Sequence, residues 1–258
     1  MSTDDRVARR VTVHLITSGP RGPHLRGARV LFGQDPARLA RTLGNLASDA
    51  PLVALDVLTE TVSLSHSRAL HVDRIIFAEP HLSSAWPSVL PTEGLTPLAR
   101  HLADAEPEPA PQEPPRLRRF ASYGLVTDPA GRILLSKIAE GFPAAGTWHL
   151  PGGGVDTGED VRAALRREVL EETGQRGVVG ALITVASHRR LPSTGGTDIY
   201  AVWVFSHVHV GAPTRPHVTE ENGSTVDCGW FTPEELPRLR LSTTAQRGLE
   251  FLTSHPGH

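Results

Sequence analysis

"GGVDTGEDVRAALRREVLEETG", residues 153–174, is the stretch that decides the fold of the second half of the chain. Its latter part predicts a helix that Gly174 is well placed to end. Glu168, Glu171 and Glu172 lie close together on this helix. Like charges at helical neighbour spacing destabilise an isolated helix by about 0.2–0.5 kcal/mol per pair, so the sequence predicts a ligand that compensates the repulsion.

The faces of this helix indicate the same kind of ligand. At about 100° per residue, Glu168 and Glu172 continue the apolar stripe that begins at Val161, and Glu171 lies about 80° to one side. A solvated charged face is the ordinary alternative. It explains this helix poorly, because desolvating an unpaired carboxylate costs more than packing its methylenes gains. Mg²⁺ binds carboxylate oxygens and couples them to substrate phosphates, and Arg167 can pair with one of the acids.

Three glycines, Gly152, Gly153 and Gly154, are predicted to lead directly into the N-terminus of the helix. Glycine lets a backbone approach a ligand closely, and a helix N-terminus favours anions, so we expect these residues to bind substrate phosphate beside a metal ion. A dinucleotide-binding motif does not explain them, because the spacing lacks the G-x-G-x-x-G register.

Length, charge and cysteine content limit the kinds of protein that this sequence can form. The chain has 258 residues, of which 21% are charged, and a formal net charge of −2. This length leaves room for two domains, and the balanced charge argues against a nucleic-acid or membrane partner. The single Cys excludes an internal disulfide framework. Because no apolar run is long enough to span a bilayer and no signal-peptide pattern is visible, we expect a cytoplasmic protein.

The segment DAEPEPAPQEPP, residues 104–115, is Pro-rich and acidic, which predicts an extended linker between domains at 1–103 and 116–258. Before the linker, RVTVHLI and ARVLFG are predicted strands and PARLARTLGNLA a predicted helix, so we expect a small α+β domain. After it, a hairpin, the acidic helix, three further strands and a closing helix predict an α/β fold with a mixed sheet.

The stretch 153–174 closely resembles the Nudix box: Gly, five residues, Glu, seven residues, Arg-Glu, an aliphatic, any residue, Glu-Glu, any residue, Gly and an aliphatic. The matching positions are Gly153, Glu159, Arg167, Glu168, Val169, Glu171, Glu172 and Gly174. Gln175 departs from the pattern, because an aliphatic residue usually follows the last Gly. The resemblance covers roughly residues 117 to 254 and implies the Nudix α/β/α sandwich.

The resemblance also implies a chemistry, the hydrolysis of a nucleoside diphosphate linked to another moiety with Mg²⁺ or Mn²⁺. It assigns metal ligation to the carboxylates of Glu168, Glu171 and Glu172 and to the carbonyl of Gly153. Arg167 is expected to orient an acid, and Glu159 to tie the loop to the helix.

Candidates outside the box are weaker. Glu220 or Glu221, in the polar stretch HVTEENGS, is a candidate for an additional ligand or general base, with a solvated loop as the alternative. Arg189 and Arg190 follow a predicted strand and are candidates for contacts to substrate phosphates, again with a solvated loop end as the alternative.

Three functions are compatible with the pattern. The first is a pyrophosphohydrolase acting on a nucleotide sugar, ADP-ribose or a (d)NTP. The second is a nucleotide-metabolite sensor that binds without hydrolysis, which the complete set of acids argues against. Hydrolysis of RNA ends needs a basic track that the balanced charge does not supply. The N-terminal domain is expected to cover the active site, to select substrates or to form a homodimer interface.

Overall fold

The protein is described by a computed structural model, which covers residues 7–65, 68–89, 115–192, 196–221 and 223–254. The chain divides into two compact units. The first comprises the described parts of Met1–Phe120 with Asp156–Asp160 and Val185–Trp203, and the second those of Ala121–Val155, Val161–Thr184 and Val204–His258.

The first unit is built on a four-stranded sheet. Its strands are β1 (Val7–Gly19), β2 (Gly22–Arg29), β3 (Val53–Ser65) and β4 (Arg68–Ala78), in the order β2-β1-β4-β3. β1 and β4 are parallel, and the other two pairs are antiparallel. Helix α1 (Pro36–Gly44) follows β2, and the side chain of Asp35 caps it by accepting a hydrogen bond from Arg38 N at 2.8 Å.

One predicted strand of this unit was wrong. The stretch ARVLFG, residues 28–33, lies mostly beyond β2, which starts at Gly22 and ends at Arg29. The pairing of Gly22 with Gly19 sets the hairpin register, so most partners of β1 come from the more polar residues before Ala28. β2 is an edge strand whose residues are exposed or half-buried, and its sequence lacks the apolar alternation that marks a strand with one buried face.

The first unit also includes segments from later in the chain. Tyr200 donates a hydrogen bond from its hydroxyl to the carbonyl of Gln34, and its ring centroid lies 5.5 Å from that of Phe32. Ser187 Oγ donates to Asp35 Oδ2 at 2.9 Å. The sheet of β1–β4 thus shares a unit with residues 156–160 and 185–203.

The remaining strands form a seven-stranded sheet in the order β11-β6-β5-β10-β9, with β7 paired to β6 and β8 to β5. These strands are β5 (Arg116–Thr127), β6 (Ile133–Ile138), β7 (Trp148–His149), β8 (Gly152–Gly154), β9 (Val178–Arg190), β10 (Asp198–His209) and β11 (Thr225–Phe231). The helices are α2 (Val161–Thr173) and α3 (Thr243–Ser254), and 3-10 turns span Pro80–Ala85 and Leu236–Arg238.

An apolar cluster lies between α2 and the sheet in the described part of the second unit. Leu165 and Val169 of α2 pack with Val126 and Leu134 of the sheet, and Val208 and Val210 complete the cluster. The predicted α/β class, with a smaller α+β part before it, is confirmed. The predicted linker at 104–115 lies outside the described residues except for Pro115. Within the described part of the chain, no helix is long and apolar enough to cross a membrane.

Candidate active site

Helix α2 carries the acidic residues and is anchored by its apolar face. Val161, Leu165 and Val169 are all at most 2% exposed. Glu172 continues this face at 3% exposure, as the helical spacing predicts. Gly174, with φ of 67°, ends the helix in the left-handed conformation that glycine adopts without strain. Packing therefore draws one carboxylate of the box into the interior.

The carboxylate of Glu172 accepts three hydrogen bonds from distant parts of the second unit. Its Oε2 accepts from Gly152 N at 3.0 Å and from Ser136 Oγ at 3.1 Å, and its Oε1 accepts from Thr225 Oγ1 at 2.7 Å. Burial raises the pKa of Glu172 to about 7, and the charge of Glu168 adds to the rise, while the three donors oppose it. Glu172 is therefore a buried carboxyl group that titrates near neutral pH.

Arg167 bridges the other two acids of the helix. Its Nη1 lies 2.9 Å from Glu168 Oε1 and 3.1 Å from Glu171 Oε2, and its Nη2 donates to the carbonyl of Gly154 at 3.2 Å. The two carboxylate side chains are 15% and 36% exposed, respectively. Burial raises the pKa of Glu168, Arg167 lowers it, and the charges of Glu171 and Glu220 raise it further. The acids repel one another as the sequence predicts, with Arg167 as partial compensation.

The glycine stretch is a strand and not a free loop. β8 pairs with β5, placing Gly152 opposite Tyr123 and Gly154 opposite Ala121. Residues 155–160 separate it from α2, so these glycines do not lead directly into the helix N-terminus as the sequence suggested. Pairing with β5 uses part of their backbone hydrogen-bonding capacity, and Glu172 takes the amide of Gly152.

Gly153 nevertheless lies directly against Glu168. A Cβ at this position would lie 2.5 Å from Glu168 Oε1, so the carboxylate would have to move. The backbone of Gly153 and the carboxylate of Glu168 are therefore neighbours. This is the arrangement that shared ligation by a carbonyl and a carboxylate needs.

The structure distinguishes the two candidate acids of the HVTEENGS stretch. The backbone amides of Thr219 and Glu220 both donate to the carbonyl of Glu171, at 2.8 and 3.1 Å. Glu220 is close enough to raise the pKa of Glu168. Glu221 lies in an exposed turn. Of the two, Glu220 is the one that approaches the acids of α2.

Glu159 closes the loop before the helix. Its Oε2 accepts from Asp156 N at 3.3 Å, and its amide donates to the carbonyl of Asp156 at 3.1 Å. The predicted role of tying the loop to the helix stays a prediction, since these bonds lie within the loop.

Arg189 is engaged in a bidentate ion pair. Its Nη2 and Nε lie 2.6 and 3.1 Å from the two carboxylate oxygens of Asp198, and its guanidinium lies 5.6 Å from the ring centroid of Phe32. Arg190 is exposed at the end of β9. A substrate-binding role for either arginine stays a prediction.

Gln175, which departs from the box, is buried and bonded at both ends of its amide. It is 1% exposed, its Nε2 donates to Thr214 Oγ1 and its Oε1 accepts from Thr214 N, both at 2.9 Å. An aliphatic side chain here would leave the amide of Thr214 without this acceptor. The chain thus closes the helix exit with hydrogen bonds instead of apolar packing.

Ser136 and Thr225 are functional candidates that the sequence reasoning missed. Both side chains are at most 8% exposed and both hold Glu172. The only signal was a lone hydroxyl within the apolar strand segment ILLSKI, because nothing local connects either residue to the box.

The carboxylate and carbonyl oxygens near α2 are ligand types that a hard divalent cation prefers. Among the described residues, no three acidic, His or Cys side chains are gathered into a metal-holding group. Arg167 contacts the carboxylates of Glu168 and Glu171, and Glu172 faces internal donors. The carboxylate of Glu168 lies beside the backbone of Gly153, and the charges of Glu171 and Glu220 act on it by raising its pKa. Oxygen ligands with excess negative charge are those that Mg²⁺ and Mn²⁺ prefer.

A helix that presents acidic side chains beside a glycine strand, packed on a mixed sheet, is an arrangement suited to hydrolysis with a divalent cation. Residues 117–252, more than half of the 258-residue chain, match the family model described as NUDIX domain. The chain therefore belongs to the Nudix family, and it is a Nudix hydrolase.

The chain is also similar to individual Nudix proteins and structures. Over 127 residues it is 32% identical to the nucleoside triphosphatase NudI of Escherichia fergusonii, covering 46% of this chain and 86% of that protein. Among solved structures, the MutT NUDIX hydrolase from Burkholderia pseudomallei is 31% identical, with a TM-score of 0.42, over 53% of this chain and 98% of that one. The NUDIX domain of Shewanella oneidensis NrtR, complexed with ADP ribose, is 16% identical, with a TM-score of 0.46. The match covers 60% of this chain and 96% of that one.

Proposed function

We propose that the chain is a divalent-metal-dependent pyrophosphohydrolase of a nucleoside diphosphate linked to another moiety, with Mg²⁺ or Mn²⁺ as the ion. The observation that carries this proposal is the carboxylate of Glu168 against the backbone of Gly153, with Glu171 and Glu220 close enough for their charges to raise the pKa of Glu168. Like charges in such an acidic cluster are destabilising by themselves and are stabilised by a bound cation.

The carboxylates of Glu168, Glu171 and Glu220 and the carbonyl of Gly153 would hold the ion. When bound, it would neutralise charge on the phosphoryl oxygens and lower the pKa of an attacking water. Arg167, which contacts both Glu168 and Glu171, keeps their side chains in place before the ion binds.

Glu172 is the candidate for the proton acceptor. Its pKa of about 7 lets the ionised and neutral forms coexist at neutral pH, as a general base requires. Its three hydrogen bonds fix its orientation. In this proposal Glu172 positions the cluster through Gly152 and accepts a proton, while the more exposed acids ligate the ion.

For the substrate we propose nucleoside triphosphates ahead of nucleotide sugars and ADP-ribose. The relatives at 31–32% identity are called nucleoside triphosphatases, and they match across 86% of their length. A cytoplasmic location, a homodimer interface and the domain boundary at 104–115 are kept as proposals from the sequence.

The test is a product assay on the purified full chain. The panel comprises (d)NTPs, ADP-ribose, nucleotide sugars and dinucleoside polyphosphates, each with Mg²⁺, with Mn²⁺ and with EDTA. Glu168→Gln and Glu172→Gln are run in parallel. Cleavage at a phosphoanhydride that requires the ion and falls at least a hundredfold in both variants is expected.

Two outcomes would overturn the proposal. If cleavage continues in EDTA, the role of the ion is wrong. If no compound is cleaved but one binds and raises the melting temperature of the chain and of both variants, the chain acts as a nucleotide-metabolite sensor.

A further inference from the structure

A buried histidine–aspartate pair lies on strand β4 of the first unit. His71 and Asp73 occupy alternate positions, so they share one face of the strand, and they are 1% and 0% exposed. His71 Nε2 lies 3.1 Å from Asp73 Oδ1. Asp73 also accepts from Arg9 Nε at 2.7 Å and from Thr59 Oγ1 at 3.0 Å. A buried carboxylate with these donors is firmly placed.

The other nitrogen of the imidazole ring faces the Nudix box. The backbone amide of Gly158 donates to His71 Nδ1 at 2.8 Å. Gly158 immediately precedes Glu159 and lies in the segment Asp156–Asp160, which belongs to the same unit as the sheet of β1–β4. Strand β4, which precedes the predicted linker, is therefore hydrogen-bonded to a loop inside the box.

These contacts determine which nitrogen carries the proton. A backbone amide can only donate, so Nδ1 must be the acceptor and is unprotonated. Nε2 lies 3.1 Å from Asp73 Oδ1, an acceptor, and 3.3 Å from Arg9 Nη2, a donor. A neutral imidazole whose Nδ1 accepts carries its proton on Nε2, so Nε2 donates to Asp73 Oδ1. Asp73 thus selects the tautomer of His71 that can accept the loop amide. Asp73, His71 and the amide of Gly158 thus form a continuous series of hydrogen bonds from the sheet to the loop.

The loop needs such a support. Gly158 has φ of 85°, a conformation that other residues adopt only with strain, and the contacts between Asp156 and Glu159 close the turn around it. Helix α2 begins at Val161, directly after Asp160, so the position of the loop sets the position of the first helical turn. The same helix carries Glu168 and Glu171 two turns later.

We propose that His71, oriented by Asp73, is a positioning residue for the hydrolase: it holds the Nudix-box loop through the amide of Gly158. The proposal rests on the proposed metal-dependent hydrolysis for its effect on turnover, but the contact itself does not. The sheet of β1–β4 then supports hydrolysis by holding the loop of the box, Asp156–Asp160, that belongs to its own unit.

Two variants of nearly equal size isolate the hydrogen bond. In His71→Asn, the side-chain Oδ1 lies near the former position of Nδ1 and can accept from Gly158. In His71→Leu, no acceptor is present. Thr59→Val is the control, because it removes a donor from Asp73 without touching the ring of His71. All three lose part of the buried network, so a general loss of stability affects all three.

Three properties are measured on the full chain: the melting temperature, kcat and KM on the substrate found with the panel, and hydrogen exchange at the Gly158 amide by NMR. In His71→Leu we expect Gly158 to exchange at least tenfold faster and kcat to fall at least tenfold, with KM changing less than threefold. His71→Asn should remain within about threefold of the parent chain in exchange and kcat. Thr59→Val should lower only the melting temperature. If His71→Leu does not fold, His71→Gln, which keeps an amide near Asp73 and has no acceptor near Nδ1, is expected to show the same pattern.

Unchanged exchange at Gly158 in the variant without the acceptor would overturn the proposal. So would an activity loss that follows the melting temperature across all variants, including Thr59→Val, since that pattern indicates stability alone. If the parent chain hydrolyses nothing on the panel, the proposed function fails, while the exchange of Gly158 still decides whether His71 holds the loop.

Discussion

Replacing Glu172 by Gln is expected to remove a pH-dependent loss of stability. Burial raises the pKa of Glu172 from the ordinary 4.5 to about 7, so between these values the folded chain binds a proton that the unfolded chain releases. Stability therefore falls as pH rises through this window. The favourable contribution is fully present below pH 4.5 and is lost as pH passes about 7.

The size of the effect follows from the shift. A rise of about 2.5 units corresponds to roughly 3 kcal/mol of unfolding free energy, because each unit is about 1.4 kcal/mol. The amide of Gln does not titrate in this range. Its oxygen, in the place of Oε2, can accept from Gly152 N and Ser136 Oγ, and the hydroxyl of Thr225 can rotate to accept from its nitrogen. The variant is thus expected to fold with the same contacts.

Urea unfolding in EDTA from pH 5 to 8.5 measures the difference between the chain and the variant. The other titrating groups are common to both, so their contributions largely cancel. We expect the variant to gain about 3 kcal/mol relative to the parent chain from the acid to the alkaline end, even as it loses hydrolytic activity. Curves that stay parallel within about 1 kcal/mol would refute the reasoning and show that Glu172 titrates in the same way in the folded and unfolded chain.

Three further substitutions test other contacts of the site. Gly153→Ala places a Cβ 2.5 Å from Glu168 Oε1, whereas a Cβ at Gly154 has no atom within 4 Å. The kcat with the metal ion should therefore fall at least ten times further in Gly153→Ala than in Gly154→Ala. Glu220 raises the pKa of Glu168, so Glu220→Gln should weaken Mn²⁺ binding, measured by titration, at least tenfold more than Glu221→Gln does; equal effects would remove Glu220 from the cluster. Gln175→Leu restores the aliphatic residue usual after the box but takes the acceptor from Thr214 N, so urea unfolding should show a loss of about 1–3 kcal/mol, and a gain in stability would contradict this.

Local pattern was enough for the acidic helix. The 3.6-residue period placed Glu172 in line with Val161 and Leu165, and the structure buries it there, because the face of a helix depends only on spacing along the chain. The C-terminal end of α2 was likewise predictable, since Gly174 is suited to ending a helix. The spacing of the box residues also predicted the family.

Edge strands and the glycine stretch were not predictable in this way. The extent of β2 depends on pairing with β1, and its exposed side chains leave no apolar pattern to recognise. Gly152–Gly154 resembled a phosphate-binding loop because glycine permits many conformations. Pairing with β5 selected the strand.

The sequence by itself determined the family, the acidic helix and the face that each acid occupies, because these follow from residue types at short spacing. The tertiary structure decided which groups surround those acids. Glu172 is held by residues 36 and 53 positions away, and the amide of Gly158 by His71, 87 positions away. Such contacts arise from strand pairing and packing between distant segments, which local periodicity does not encode. They also decide whether a carboxyl group is charged, since its pKa depends on burial and on neighbours brought together only by folding.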